Sequence, residues 1–315
     1  MREFDLIRQL SACFRRSPRQ RNGLFTCDAE IVELSGVLWG VTTDAFSPDE
    51  DCFGSAHPER IGNNIAVATL SDLFAAGCQP EFYLHSLELP QDGEAFGVGL
   101  CRGVAAVLEA CGAFMVGGDL GSGAAWRCSA TAFGPVARHE PLTRLLPPRE
   151  QALYVTGSLG DANAAAFQNL VPPAFELRLA ASAAVRRQAS ACIDTSDGLF
   201  NATWQWRDVN PGFRFELDAS AIPYAQEALD AAHRFKLPPA AFLLGGAGEY
   251  ELLFAADARA EVPDATRIGT VAPDADGGVF FGTRRLHAAP PDPRAYSDRT
   301  AYLAAIAASL ECFKA

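Results

Sequence analysis

The chain has 315 residues, 49% of them hydrophobic and 20% charged, with a formal net charge of −12 at neutral pH. That length carries two domains, or one large α/β domain, with enough chain for a sizeable core. The acidic balance argues against a general nucleic-acid binder, which presents a basic face to phosphates.

Residues 2–15 read as a short amphipathic helix. Residues 36–46 form a β-rich run with a polar tip, and a loop rich in Asp, Glu, Ser and Pro follows over 47–58. Residues 61–76 form a helix closed by Gly77, because glycine takes the left-handed backbone that ends helices. A strand over 82–89 precedes a helix over 94–111. There Leu100, Val104, Val107, Leu108 and Cys111 recur at helical spacing before Gly112 stops it. A strand over 113–117 runs into Gly117-Gly118-Asp119, and 127–136 returns as another strand. The segment 137–150 is turn-rich, and the domain boundary is placed in it, giving units 1–140 and 141–315. The second unit alternates again. It reads as strand 152–156, helices 161–169 and 178–190, strand 191–194, helix 197–208, strand 213–218, helix 224–235, strands near 250–256 and 267–272, and helix 298–312. Two α/β halves of similar size fit this pattern.

Nine cysteines occur, at positions 13, 27, 52, 78, 101, 111, 128, 192 and 312, with no CxxC pair. An odd, scattered set of this kind argues against a disulfide framework or zinc site and points to a reducing cytoplasm. The Met1-Arg2-Glu3-Phe4-Asp5 start shows no apolar signal region, and no apolar run reaches membrane-spanning length. Neither Lys236 nor Lys314, the two lysines, lies in a GxxxxGK[ST] motif, which excludes a P-loop.

Four motifs set an aspartate at a strand tip or on a helix beside small residues. They are Thr42-Thr43-Asp44, Leu70-Ser71-Asp72, Gly117-Gly118-Asp119 and Asp194-Thr195-Ser196-Asp197-Gly198, with Asp28 as a fifth position. Magnesium takes hard oxygen ligands, commonly carboxylates together with substrate phosphates and water. Carboxylates gathered at one site raise one another's pKa, and a divalent cation relieves that repulsion. The glycines beside Asp119 let phosphate oxygens approach the backbone, and Thr43 and Ser196 offer hydroxyls. Singly, most of these aspartates also read as turn formers or helix caps. Asp72 differs, because it lies mid-helix after Ile65, Val67 and Leu70, where an unpartnered carboxylate is costly. The five histidines, His57, His85, His139, His233 and His287, show no ligand spacing and receive no metal role.

Taken together, in this order and spacing, the motifs resemble the thiamine-monophosphate kinases. Those enzymes belong to the superfamily of aminoimidazole ribonucleotide synthetase, selenophosphate synthetase and a hydrogenase-maturation protein. The resemblance runs from Glu3-Phe4-Asp5-Leu6-Ile7 through the aspartate motifs and Leu142-Thr143-Arg144. It continues in Tyr154-Val155-Thr156-Gly157-Ser158-Leu159-Gly160-Asp161, then Gly245-Gly246-Ala247-Gly248-Glu249-Tyr250-Glu251-Leu252, and ends at Ile268-Gly269. It implies an α/β (α+β) two-domain fold like that of aminoimidazole ribonucleotide synthetase. The N-terminal halves would pair strands across a homodimer, with ATP near that interface. It also implies transfer of the γ-phosphoryl of ATP to thiamine monophosphate, giving thiamine diphosphate, with no covalent enzyme intermediate. Asp28, Thr42, Thr43, Asp44, Asp72, Asp119 and Asp194 would hold magnesium and Asp197 a further ion. Gly118, Asp119, Arg144 and Ser196 would contact ATP. Asp51, Glu249 and Tyr296 are assigned to the substrate side. No membrane or nucleic-acid partner is expected, and the location is expected to be cytoplasmic.

The chain departs from the family pattern in a sorted way. The first acidic motif, Gly-Asp-Asp-Ala in the family, is Thr26-Cys27-Asp28-Ala29 here. Cys27 matches the reactive cysteine of selenophosphate synthetase poorly and reads as a buried thiol. The substrate-facing His that follows Thr-Thr-Asp is absent until His57. Gly248 stands where the family has a substrate-facing Glu, and Leu120-Gly121-Ser122-Gly123 replaces Thr-Thr-Arg-Gly. Positions matched to metal and ATP are nearly all kept, while those matched to thiamine are largely changed. The reading is an active magnesium-dependent phosphotransferase. Its alternatives are a superfamily enzyme with another small phosphorylated acceptor, or a non-catalytic nucleotide-binding or assembly protein.

Overall fold

Residues 3–48, 54–291, 295–296 and 299–310 are described in this computed structural model. The first half begins with α1 (Glu3–Ser11) and β1 (Glu30–Leu34), a short strand that no pattern in the sequence marked. β1 pairs antiparallel with β2 (Val37–Phe46). α2 (Pro58–Ala75) starts three residues before the periodicity places it, because Pro58 is preorganised for the first helical turn and lacks the N–H left unpaired there. β3 (Phe82–Leu89), α3 (Glu94–Cys111), β4 (Phe114–Ser122) and β5 (Arg127–Pro135) complete a five-stranded sheet of order β1-β2-β5-β3-β4.

β4 corrects one expectation, since it runs on through Gly117-Gly118-Asp119 to Ser122 rather than ending in a loop. Parallel pairing with β3, from Phe82–Phe114 to Leu89–Ser122, keeps the glycines extended, and a register shift at Tyr83/Leu84 takes up the extra residue. Gly118 packs against β3 so closely that a Cβ there would stand 2.3 Å from the carbonyl oxygen of His85.

The second half contains β6 (Gln151–Thr156), α4 (Asp161–Phe167), α5 (Leu179–Gln188), β7 (Ala189–Asp194), α6 (Leu199–Val209), β8 (Phe213–Leu217) and α7 (Gln226–Phe235). A 3₁₀ turn (Pro239–Leu243), β9 (Leu252–Ala256), β10 (Ala265–Pro273), β11 (Gly278–Phe281), the edge strand β12 (Arg284–Leu286), and α8 (Arg299–Ser309) follow. The seven-stranded sheet has the order β12-β11-β8-β10-β6-β9-β7.

β6, β7 and β9 are buried on both faces, and side-chain alternation splits them between two cores. Ala152, Tyr154, Cys192 and Phe254 join the core around α2, while Leu153, Val155, Ile193 and Leu253 pack with Phe200 and Trp206 of α6. α2 lies between the two sheets, touching β2 and β5 on one side and β7 and β9 on the other. It is therefore apolar nearly all round, as a fully enclosed helix must be. No helix among the described residues is long and apolar enough to cross a membrane.

Candidate active site

Three elements bring three carboxylates to the seam between the sheets. Asp28 precedes β1, Asp72 lies in the last turn of α2, and Asp194 ends β7. Their ligand oxygens all lie within 4.8 Å of one another. Hydroxyls fix the geometry. Thr42 Oγ1 donates to Asp72 Oδ2 at 2.5 Å, Ser71 Oγ to Asp194 Oδ2 at 2.5 Å, and Ser196 Oγ to Asp194 Oδ1 at 2.9 Å. The Arg144 guanidinium grips Asp28, with Nη2 to Oδ1 at 2.6 Å and Nε to Oδ2 at 3.3 Å. Arg144 is itself held through its backbone. Its N–H donates to the Thr26 carbonyl, and its own carbonyl accepts from Trp206 Nε1 and Asn210 Nδ2.

One buried cation faces an excess of negative charge. Burial, then Asp44, Asp194 and Asp28, hold the Asp72 carboxyl well above the usual range. Burial and Asp28 push Asp194 up to about 6. Burial disfavours the charge of Arg144, but Asp28 beside it outweighs that and raises its pKa. Cys27 and Cys192 lie close by, yet burial raises both thiols, so they stay protonated and offer no soft ligand. The donor set is all hard oxygen, crowded and short of positive charge, and it fits a hard divalent cation such as magnesium.

Loading such a cation displaces the protons on Asp72 and Asp194. Both folded-state pKa values are raised. In the metal-free protein these groups therefore cost least at low pH, and stability falls as pH rises through about 6. Magnesium titrations in buffers of different ionisation enthalpy are expected to show proton uptake by the buffer near pH 6. Affinity is expected to weaken progressively below it. An affinity unchanged from pH 5 to pH 8 would contradict the assignment.

The structure divides the remaining expected residues. Thr42 lies on the α2 face of β2, and strand alternation puts Asp44 there too. Thr43 points to the opposite face, where its hydroxyl donates to the Ala130 carbonyl at 3.0 Å and accepts from Thr131 Oγ1 at 3.0 Å. Asp119 is exposed on edge strand β4, in one cross-strand row with Ser86 and Ser129. Asp44 belongs to the neighbouring row with Ala130, His85 and Gly118, so the two carboxylates are set on opposite faces. Asp197 accepts from Gln205 Nε2 at 2.7 Å. Tyr296 packs on Tyr302, whose hydroxyl accepts from the Gly246 N–H. Asp51 lies outside the described residues.

Glu249 lies buried. Its side chain is enclosed, accepts from the Gly160 N–H at 2.8 Å and meets Asp161 at the start of α4. The cause is Gly248, where a Cβ would stand 1.7 Å from the Thr195 carbonyl oxygen, and the tight turn carries Glu249 inward. Burial, then Asp161, holds Glu249 well above the usual carboxylate range. Because this pKa is raised, the stability that the protonated pair contributes is present at low pH and lost as pH rises through the folded value. Glu249→Gln is expected to flatten the decline of Tm with rising pH. Equal pH slopes for the variant and the native protein would rule this out.

Sequence reasoning named Ser71 only as part of the Asp72 motif, gave His85 no metal role and passed over Tyr83. The alternation of β3 could have found the latter two. They share rows with Thr42 and Asp44 across Ala132 and Ala130. The Tyr83 hydroxyl and His85 Nδ1 are buried with no hydrogen-bond partner among the described residues.

Comparison with known proteins supplies a relationship. Residues 27–136 match the AIR synthase related protein, N-terminal domain. A thiamine-monophosphate kinase of Archaeoglobus fulgidus is 26% identical over 296 residues, covering 89% of this chain and 92% of that protein. One from Aquifex aeolicus is 26% identical over 279 residues, covering 82% and 89%. The structure of AaThiL complexed with AMPPCP and TMP superposes with a TM-score of 0.77 at 24% identity, covering 91% of this chain and 97% of that one. The chain is similar over most of its length to thiamine-monophosphate kinases, and its first half carries an AIR synthase related N-terminal domain. The domain match spans Asp28, Asp44, Asp72 and Asp119, whereas Arg144 and Asp194 come from beyond it.

Proposed function

We propose that the protein is an ATP-dependent kinase that transfers a phosphoryl group to thiamine monophosphate, giving ADP and thiamine diphosphate. The observation that carries this reading is the group of Asp28, Asp72 and Asp194, drawn from both halves of a chain similar along nearly its whole length to thiamine-monophosphate kinases. Asp28, Asp72 and Asp194, with Asp44 and Thr42 beside them, would hold magnesium, and Asp197 is assigned a further ion. Magnesium neutralises phosphate charge and templates the reacting oxygens. The residues of the chain do the positioning. Arg144 restrains Asp28, Ser71 and Ser196 aim Asp194, and Thr42 aims Asp72. The acceptor is already a phosphate oxygen, so no side-chain base and no covalent intermediate are needed. Gly118, Asp119, Arg144 and Ser196 are assigned to the nucleotide phosphates.

A homodimer belongs to the same proposal. The face of the first sheet turned away from α2 carries Trp39 stacked on Phe82, with Phe133 tilted against both. Phe114, Met115 and Val116 on edge strand β4 are 65%, 46% and 52% exposed. An apolar surface of this kind marks an interface, and a second copy of the chain would cover it. A reducing cytoplasm suits the cysteines, which are free wherever the structure describes them.

One observation favours a second reading, a different small phosphorylated acceptor. Gly248 has no side chain to offer a ligand, and Glu249 is committed to α4. The test is ADP release by the purified protein with Mg-ATP, using thiamine monophosphate first and other phosphorylated acceptors after it. Turnover with thiamine monophosphate supports the first reading. ATP binding with turnover only on another acceptor supports the second. No ATP binding in magnesium sinks both.

A further inference from the structure

Asp72 and Asp194 come from separate halves of the chain, on α2 and β7, and at the site the Ser71–Asp194 hydrogen bond joins those elements. A second connection runs behind it. Thr195, the residue after Asp194, is tied to Glu251 in both directions. Its N–H donates to the Glu251 carbonyl at 2.8 Å, and its hydroxyl accepts from the Glu251 N–H at 3.0 Å. The Glu251 carboxylate is held in turn. Thr156 Oγ1 donates to Oε2 at 2.5 Å, and the Arg178 guanidinium closes on Oε1 with Nε and Nη2 each at 3.0 Å. This pair sits so tightly over Gly157 that a Cβ there would stand 2.0 Å from Oε1.

Arg178 carries the connection back to the first half. It ends an irregular segment, 171–178, that is laced to α2. Asn64 is buried on α2. It donates from Nδ2 to the Pro173 carbonyl at 2.9 Å and accepts from the Phe175 N–H at 2.9 Å. Asn63 Nδ2 donates to the Phe175 carbonyl at 3.0 Å. The Phe175 ring packs on Tyr250, with centroids 5.1 Å apart. Tyr250, just before Glu251, has a φ of 58°, in the left-handed region that a bulky residue enters at a cost. Such a backbone persists only where its surroundings over-determine it. Phe175 fixes it from one side and the Glu251 network from the other.

We propose that the Arg178–Glu251 ion pair is a clasp that sets the spacing of Asp194 from Asp72 and so fits the site to an ion the size of magnesium. Arg178 acts through Glu251 and Thr195, which makes it a positioning residue. The inference rests on the magnesium site of the reading above. Ion size is the property that such a clasp controls. Magnesium demands near-octahedral oxygens at roughly 2.0–2.1 Å, whereas calcium takes roughly 2.3–2.6 Å and tolerates irregular geometry.

The test is calorimetric titration of the full chain, without nucleotide, with magnesium and calcium as separate titrants. Arg178→Met is expected to weaken magnesium binding about tenfold, as loss of a group that orients metal ligands from outside does, and calcium binding by no more than ~3-fold. Arg178→Lys keeps the charge without the planar fork. It is expected to fall between, and it decides the matter if the methionine variant does not fold. A merely structural residue would lower Tm and leave the ratio of the two affinities as in the native chain, and that result overturns the proposal. So does failure of the native chain to bind either ion. The functional reading is judged separately by ADP release. A shifted ion ratio in the variants, with no turnover of thiamine monophosphate by the native chain, removes that reading and leaves the clasp. Native turnover of thiamine monophosphate, with an unshifted ion ratio in both variants, removes the clasp and leaves the reading.

Discussion

Asp72→Asn is expected to lower kcat for ADP release by about three orders of magnitude, because metal charge stabilisation is worth several kcal/mol and each ~1.4 kcal/mol is tenfold in rate. The same change is expected to leave the metal-free protein at least as stable as the native one. It keeps the acceptor oxygen for the Thr42 hydroxyl while removing one of the carboxylates that repel one another around Asp194. Loss of activity and unchanged or raised Tm must appear together. Asparagine that supports native turnover in magnesium would remove Asp72 from the metal site. A collapse of Tm would make the residue a structural one.

Arg144→Met is expected to give the largest stability loss of any single change at the seam. The Asp28 side chain is only 1% exposed, and Arg144 is its ion-pair partner there. Removing one member of a buried pair typically costs about 3–5 kcal/mol, since the other is left charged without compensation. In a chain of this size each kcal/mol shifts Tm by roughly 2–4 °C, so a fall of about 10 °C is the expected result of thermal unfolding without metal. Magnesium is expected to restore part of the loss by supplying positive charge in the same place. The double variant Asp28→Asn/Arg144→Met should recover more, because nothing charged is then stranded beside Asp194. A Tm within a degree or two of native for the single variant would show that Asp28 is not held as the structure places it.

Much of this architecture was legible in the sequence wherever periodicity and chemistry agreed. α3 falls on its predicted bounds because its apolar stripe runs between a turn and a stopping glycine. β4 was cut short because glycines disfavour strands, and only pairing with β3 holds Gly117 and Gly118 extended. β1, β11 and β12 are short strands at or next to a sheet edge, and their identity depends on the strands they pair with. The aspartates were found by motif, but their grouping was not. Alternation along β2 sends Thr43 away from Asp72, and the register of β4 sets Asp119 on the other sheet face. Arg144 drew notice as a nucleotide contact, and its grip on Asp28 depends on a fold in which residues 116 apart in sequence meet. The burial of Glu249 was illegible for a related reason. A sequence match records which residue follows a glycine, not that the turn is tight enough to bury it.

The enclosure of α2 bears on how the chain assembles. Its helix has no face intended for water, and one of its covers, formed by β7 and β9, is made from residues that emerge from the ribosome only after the first half is complete. The first half of the nascent chain also carries Asp28, Asp44 and Asp72 before Arg144 exists to oppose them. The order of synthesis therefore delays completion of the first half until the second arrives. A gene divided at the turn-rich segment is expected to yield a leading fragment that aggregates unless its other half is supplied in the same cell.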